Sequence, residues 1–407
     1  MVSAVMPDII RPKFRYDHED VFIQFIGFIV CTLMLGDWGA LSRMRYVALF
    51  SIAGLILLIR KIGLTRDDIK LYFKFIICDV GVLMSAALYQ DTQLLSYHVG
   101  LILCVFPFVQ LLIVRYNLSR GTLFALAICA LPAFFPQYFA GGGNISRNIV
   151  STLNTGVRFT GLSGDPNYTV LALVIPLVGT LFLSQYKATY IKSYWMLSYI
   201  VIFSACLMTG SRAGIGSAVV VSVLYFFCQS KSVSGKNLLL IFSLVLILGI
   251  IVKFVLYDYF IFFQQRTGGT ASSYFKDSRY EVWYQALLII VESSPINRYD
   301  QDNLIRAYGF VVHNVILDIG LTFGSYTMVI HLFVITFGGY SVFRRFRTLN
   351  KYGIAFHENI YALIGLVSIA FLLVAGTLTV GMDSKYWFVY SLLFVGGFSK
   401  RIEKEKM

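Results

Sequence analysis

Apolar stretches separated by short polar breaks run along almost the whole chain. They fall at residues 21–35, 46–59, 71–89, 99–114, 121–139 and 167–184, and again at 194–208, 213–228, 237–257, 313–340, 359–375 and 385–398. A helix that rises about 1.5 Å per residue needs roughly 20 apolar residues to cross the hydrocarbon core of a bilayer, and these stretches approach that length. The pattern predicts an all-α, polytopic transmembrane helical protein with about twelve spans. One long polar segment, 258–312, rich in Tyr, Ser, Gln, Arg and Asp, interrupts the series between the ninth and tenth spans. The expected organisation is nine spans over 1–257, an extracytoplasmic loop subdomain over 258–312, and three spans over 313–407. Inside the loop, SRYEVWYQALLIIV (Ser278–Val291) is too short to span comfortably and carries Trp283 and Tyr284. It reads as a helix lying on the outer leaflet with its aromatic residues at headgroup level.

Composition supports lipid as the solvent: the chain is 57% hydrophobic and only 14% charged. A soluble fold would leave much of that apolar surface without a partner. All six cysteines (Cys31, Cys78, Cys104, Cys129, Cys206 and Cys228) fall inside apolar runs, where packing is the expected role and no disulfide staple is implied. The net charge of +13 raises nucleic acid as a partner, but its distribution answers otherwise. Arg11, Lys13, Arg15, Arg60, Lys61, Arg66, Lys70 and the RRFR and KRIEKEK clusters fall on one side of the alternating spans. The short loops on the other side hold only Arg43, Arg45, Arg147, Arg158 and Arg212. That asymmetry is the positive-inside pattern and places both termini in the cytoplasm, with no nucleic acid needed to explain the charge. The polar first twenty residues precede no cleavage motif, so 21–35 reads as a retained span.

On this topology three polar motifs face outward, each at the start of an inward-running helix: RFTGLSGDPN (Arg158–Asn167), TGSR (Thr209–Arg212) and the His313–Asn314 pair. Asp165 is an expected N-cap with Pro166 at the first helical position, and Ser211 caps the helix after TGSR. Helix N-termini carry unsatisfied N–H groups and the positive end of the dipole. With Arg158 and Arg212 they suit an anion such as phosphate or diphosphate, and Gly161 and Gly164 allow close backbone approach. Each residue also has a plainer role: Arg158 as a solvated loop or interface anchor, Arg279 as a contact to lipid phosphate, His313 as a cap rather than a general base. His98 faces outward as an alternative base, and His331 reads as a packed polar residue within a span. Asp79 and Asp318 lie within spans, where a carboxylate is by default paired or functional; neither receives a partner from the sequence. Gly320 and Gly324, four apart, suggest close packing of the tenth span.

These residues resemble the O-antigen ligase and O-antigen polymerase superfamily of bacterial membrane glycosyltransferases. The resemblance rests on RFTGLSGDPN, TGSRAG, SRYEVW and the HN pair with Gly324 beyond it, and covers mainly 150–330. It implies metal-independent, inverting glycosyl transfer on the outer side of the bacterial cytoplasmic (inner) membrane, without a cofactor. The donor would be an oligosaccharide on undecaprenyl diphosphate and the acceptor a glycan hydroxyl, with a chain-length regulator and a flippase as candidate partners. Carried over position by position, Arg158, Arg212 and Arg279 would hold the diphosphate and His313 would take the acceptor proton. Asp165, Asn167, Ser211 and Asn314 would support the site with Gly161 and Gly164. The Asp-Pro-Asn form of the first motif favours a polymerase of exopolysaccharide, capsule or O-antigen; a ligase moving glycan onto lipid A core is the near alternative. INRYDQDN after Pro295 departs from the glycine-rich step often found there, leaving the acceptor side open. A lipid-linked oligosaccharide flippase or other transporter is a third reading, which expects charges along a path at mid-membrane depth.

Overall fold

A computed structural model describes residues 18–35, 40–113, 165–185, 189–229, 279–299, 305–306, 311–351, 356, 359–379, 381 and 383–399. The expected spans 121–139 and 237–257, both termini, and most of the loop subdomain lie outside these residues. Among the described residues the fold is all helical, without strands. Its elements are α1 (His18–Leu35), α2 (Ala40–Ile62), α3 (Arg66–Leu88), α4 (Thr92–Leu111), α5 (Pro166–Leu183), α6 (Thr189–Met208) and α7 (Arg212–Gln229), then α8 (Arg279–Glu292), α9 (Val315–Phe323), α10 (Ser325–Lys351), α11 (Ile360–Ala375) and α12 (Ser384–Phe398). Five of them, α3, α4, α5, α6 and α10, are long and apolar enough to cross a membrane.

The outward faces are apolar, as suits helices bathed in lipid. On α3, Ile69, Phe73, Ile77, Met84 and Leu88 are exposed while Leu71, Phe75, Val82 and Ala86 are buried, an arrangement that water would penalise. Inside, aromatic packing replaces the hydrophobic drive that lipid removes. Phe75 stacks on Phe106 with ring centroids 3.7 Å apart, and Phe394 meets both edge-on. Every residue of α12 from Ser384 to Gly397 is buried, which makes this helix the axis of the bundle.

Two helices depart from the run boundaries. α4 begins at Thr92, earlier than the apolar run, because Asp91 caps it by accepting the Leu94 N–H at 2.9 Å. It carries a π-turn over Leu101–Val105, directly before Pro107, where a proline ring would clash with the preceding turn of a regular α-helix. The larger correction concerns the expected span 313–340, which is not one rod. It breaks at Gly324 (φ 93°, ψ 168°) into the nine-residue α9 and the long α10. α10 continues through Arg344, Arg345 and Arg347 to Lys351, so the basic RRFR cluster lies on a helix rather than in a connecting loop. Gly324 is therefore a hinge in the chain path, not half of a helix-packing pair. Gly320 does allow close contact, since a Cβ there would meet Ile290 Cδ1 at 2.7 Å.

The break is held by the segment after α8. Asn297 and Tyr299 donate their N–H groups to the carbonyls of Phe323 and Thr322, and Tyr326 donates to the carbonyl of Pro295, all at 3.1 Å. The first two bonds satisfy carbonyls that α9 would otherwise leave open at its C-terminus, and the third satisfies an N–H at the start of α10. The same segment is tied to α3, where Ser85 donates to the Asn297 carbonyl and the Tyr89 hydroxyl reaches Asn297 Oδ1 at 3.3 Å. Arg298 then bonds Asp91 through Nη2 at 2.6 Å and Nε at 3.2 Å. Burial pushes the Asp91 carboxyl up, but the Leu94 N–H and the Arg298 guanidinium outweigh it and hold the group below its ordinary value.

α8 packs on α9 through a small core of its own, in which Ala286 and Ile290 meet Val312 and Leu321. Its opposite face exposes Tyr284, Leu287, Leu288 and Val291, as a helix resting in an apolar surface would.

Candidate functional site

The two ends of the bundle differ in chemistry. At one, α2 finishes on Arg60 and Lys61, α3 starts at Arg66, and α10 ends through Arg344, Arg345, Arg347 and Lys351. Arg345 caps the far end of α12 there by donating to the Gly396 carbonyl at 2.7 Å. The opposite end gathers helix N-termini, and they are brought together by packing, not merely by lying on one side.

Four starts meet at that end. Asp165 Oδ1 accepts the N–H of Asn167 at 2.6 Å and of Tyr168 at 3.4 Å, so the cap of α5 forms with Pro166 at the first helical position. Ser211 Oγ accepts the Gly214 N–H at 3.4 Å at the start of α7, after a turn that Gly210 makes at φ 59°. Asn314 Oδ1 accepts the N–H groups of Ile316 and Leu317 at 3.0 and 3.3 Å to open α9. Asp383 accepts the Lys385 N–H at 2.8 Å to open α12. The first turns of α5 and α7 touch, since a Cβ on Gly214 would lie 2.6 Å from Val170 Cγ1.

The chain between α11 and α12 joins these starts to α9. The Tyr168 hydroxyl in the first turn of α5 donates to the Thr379 carbonyl at 2.9 Å. Two residues on, the Gly381 N–H donates to Asp318 Oδ2 at 2.7 Å, in the first turn of α9. Trp387 Nε1–H donates to the Gly381 carbonyl at 3.0 Å and anchors the same residue from α12. Asp318 thus acquires a partner that sequence spacing could not supply, a backbone N–H from a different part of the chain.

Electrostatics separate the four ends. α5 and α12 are capped by carboxylates, which offset their dipoles locally. α7 and α9 are capped by the uncharged Ser211 and Asn314, and the residues beside these caps, Arg212 and His313, are both exposed. The α7 start keeps its positive field with the Arg212 cation next to it, the combination that receives phosphate oxygens, whereas the α9 start, beside His313, carries the Asp318 carboxylate in its first turn.

Of the residues expected at the site, Arg158, Gly161 and Gly164 lie outside the described residues. Arg279 opens α8, and only its backbone is described. Asn167 supplies its backbone N–H to the Asp165 cap. His98 is corrected: instead of facing outward it is fully buried, with Nδ1 2.9 Å from Asp79 Oδ2, which also gives Asp79 its partner. The early start of α4 is the cause, since it draws His98 into the second turn of a packed helix. His331 is buried as a packed residue, its Nδ1 2.6 Å from the Tyr386 hydroxyl.

Sequence reasoning passed over Lys385, which is buried at the start of α12 with Nζ 3.3 Å from Asp383 Oδ2. It passed over Tyr168 as well. A lysine opening an otherwise apolar run was a visible signal; the Tyr168 contact was not, because its partner lies 211 residues away. Among the described residues no cluster of His, Cys, Asp and Glu has the makings of a metal centre. No family model matches the chain, and no match to it was found among curated proteins or solved structures.

Proposed function

We propose that the protein is a polysaccharide polymerase of the bacterial cytoplasmic membrane, joining undecaprenyl-diphosphate-linked oligosaccharide repeats by inverting glycosyl transfer. The observation that carries this reading is the meeting of helix N-termini at one end of the bundle, with Arg212 and His313 exposed beside the two ends whose caps are uncharged. The basic residues at the other end support an orientation in which that mouth faces away from the cytoplasm. The resemblance of RFTGLSGDPN, TGSRAG, SRYEVW and the HN pair to the O-antigen ligase and polymerase superfamily supplies the substrate class.

In this mechanism the acceptor hydroxyl attacks the anomeric carbon of the donor from the face opposite the diphosphate. A new C–O bond forms, the bond to the diphosphate oxygen breaks with its electron pair, and the configuration inverts. His313 takes the hydroxyl proton. Arg212, with Arg158 and Arg279, stabilises the charge that grows on the leaving diphosphate, the place where fixed donors contribute most to rate. No metal is required when cationic side chains and helix ends perform that task.

The test is the purified protein with a lipid-linked oligosaccharide donor, following release of undecaprenyl diphosphate and growth of the glycan. His313→Ala abolishes both while remaining inserted and folded. Glycan growth on the carrier supports a polymerase, and transfer to a supplied lipid A core acceptor supports the ligase reading instead. A protein that releases no carrier diphosphate under either condition overturns the glycosyltransferase assignment and favours transport.

A further inference from the structure

Beneath the capped end, within the bundle, lies a polar cluster that the proposed transfer does not use. Asp79 on α3 and His98 on α4 have fully buried side chains, with Nδ1 at 3.2 and 2.9 Å from the two carboxylate oxygens. The other ring nitrogen of His98, Nε2, is buried without a partner. The imidazole stands edge-on to the indole of Trp387, ring centroids 4.4 Å apart. Trp387 also meets His331 of α10, ring centroids 5.1 Å apart, whose own Nε2 is likewise buried and unpartnered.

An unpaired carboxylate at such depth costs several kcal/mol. One proton shared by Asp79 and His98 would leave the couple without net charge and remove that cost. Removing that proton leaves a neutral imidazole hydrogen-bonded to a carboxylate, with one net negative charge in buried surroundings.

We propose that Asp79 and His98 form a membrane-embedded binding site for one exchangeable proton, held as a carboxylate–imidazolium couple against the face of α12. The groups around it are Cys78 on α3, Tyr97 on α4, His331 on α10 and Tyr390 on α12, with Tyr386 beyond, bonded to His331. Farther off are Asp318 and the Asp383–Lys385 pair. Trp387 connects the site to the end above: its ring touches His98 and its N–H holds the Gly381 carbonyl, while the Gly381 N–H holds Asp318 on α9. Proton uptake that moves the imidazole therefore bears on the residue that fixes the first turn of α9. The site stands whether or not the capped end binds a diphosphate.

Trp387 is the natural reporter, because an imidazolium against an indole quenches its emission. The protein in lipid nanodiscs is titrated while tryptophan fluorescence is recorded, and Trp387→Phe identifies the contribution of this residue. The expected result is a single step that His98→Gln removes. Asp79→Asn alters the same step, because the carboxylate paired with the ring is gone. Nitrogen-15 imidazole spectra of the unsubstituted protein give a second reading that no folding defect can confound: one buried ring takes up a proton with the midpoint of the fluorescence step. Absence of the step together with absence of such a ring overturns the proposal. A step that survives in His98→Gln and disappears in His331→Gln also overturns it.

Discussion

Replacing Gly324 by alanine strikes the hinge between α9 and α10. The residue sits at φ 93°, ψ 168°, a region that side chains other than glycine enter at a cost of about 1–3 kcal/mol. A Cβ there would lie 2.6 Å from the Pro295 carbonyl carbon and 2.9 Å from Ile296 Cα, with the Pro295 oxygen nearer still. Backbone cannot rotate aside as a side chain end would, so the whole 295–299 segment has to move. That puts the bonds Asn297 N–H to Phe323, Tyr299 N–H to Thr322 and Tyr326 N–H to Pro295 at risk, each worth about 1 kcal/mol. The combined loss is on the order of 2–5 kcal/mol. Thermal unfolding of the detergent-solubilised protein measures it, with Gly339→Ala as the matched control. Gly339 is helical and a Cβ there meets nothing within 4 Å, so alanine is neutral or stabilises by up to about 1 kcal/mol. Gly324→Ala should melt several degrees below the wild type while Gly339→Ala does not. If the two variants melt together, the hinge does not depend on the glycine and the reasoning fails.

Asp318→Ala removes the acceptor for the Gly381 N–H and should cost about 1–3 kcal/mol, seen as lower thermal stability and faster proteolysis between α11 and α12. Gly214→Ala pushes Val170 and should destabilise by about 1–3 kcal/mol; adding Val170→Ala restores room, and recovery in the double variant is the diagnostic result. The Asp91 carboxyl is held below its ordinary value, so its contribution is full above the unfolded pKa and is lost as pH falls through the folded one. The stability gap between wild type and Asp91→Asn should accordingly close on acidification, and a gap that stays constant with pH would show that Arg298 does not act through charge. A double-mutant cycle between Asp91 and Arg298 should return a coupling of about 1 kcal/mol near neutral pH.

What could be read from the residue pattern was whatever depends on neighbours along the chain. Helix caps are of this kind: Asp165 before Pro166, and Ser211 after a glycine turn, involve residues within three or four positions and emerge as the spacing implies. The π-turn before Pro107 and the break at Gly324 escaped because hydropathy alone cannot distinguish a bent apolar run from a straight one. Gly324 in particular needs the carbonyl of Pro295, which a window of sequence around residue 324 does not contain. The partners of Asp79 and Asp318 were invisible for the same reason: one is a histidine that helix extension turns inward, the other a backbone N–H 63 residues away. Sidedness predicted that helix starts would share a face. Only packing of Val170 on Gly214, and the Tyr168 and Asp318 bonds to the connection before α12, bring them into one neighbourhood.

The burial of α12 on all sides governs assembly order. Its neighbours include α1, α3, α10 and α11, all of which precede it in the chain, so the contacts that fill the axis of the bundle are completed only after they have been made. Because protein and not lipid will surround it, that helix can carry Lys385, Tyr386, Trp387 and Tyr390, a poorer membrane inserter than its companions but a better keystone. A chain stopped before Asp383 would therefore present its inner faces to lipid or to quality-control proteases, and ought to be cleared quickly even though every earlier helix is intact.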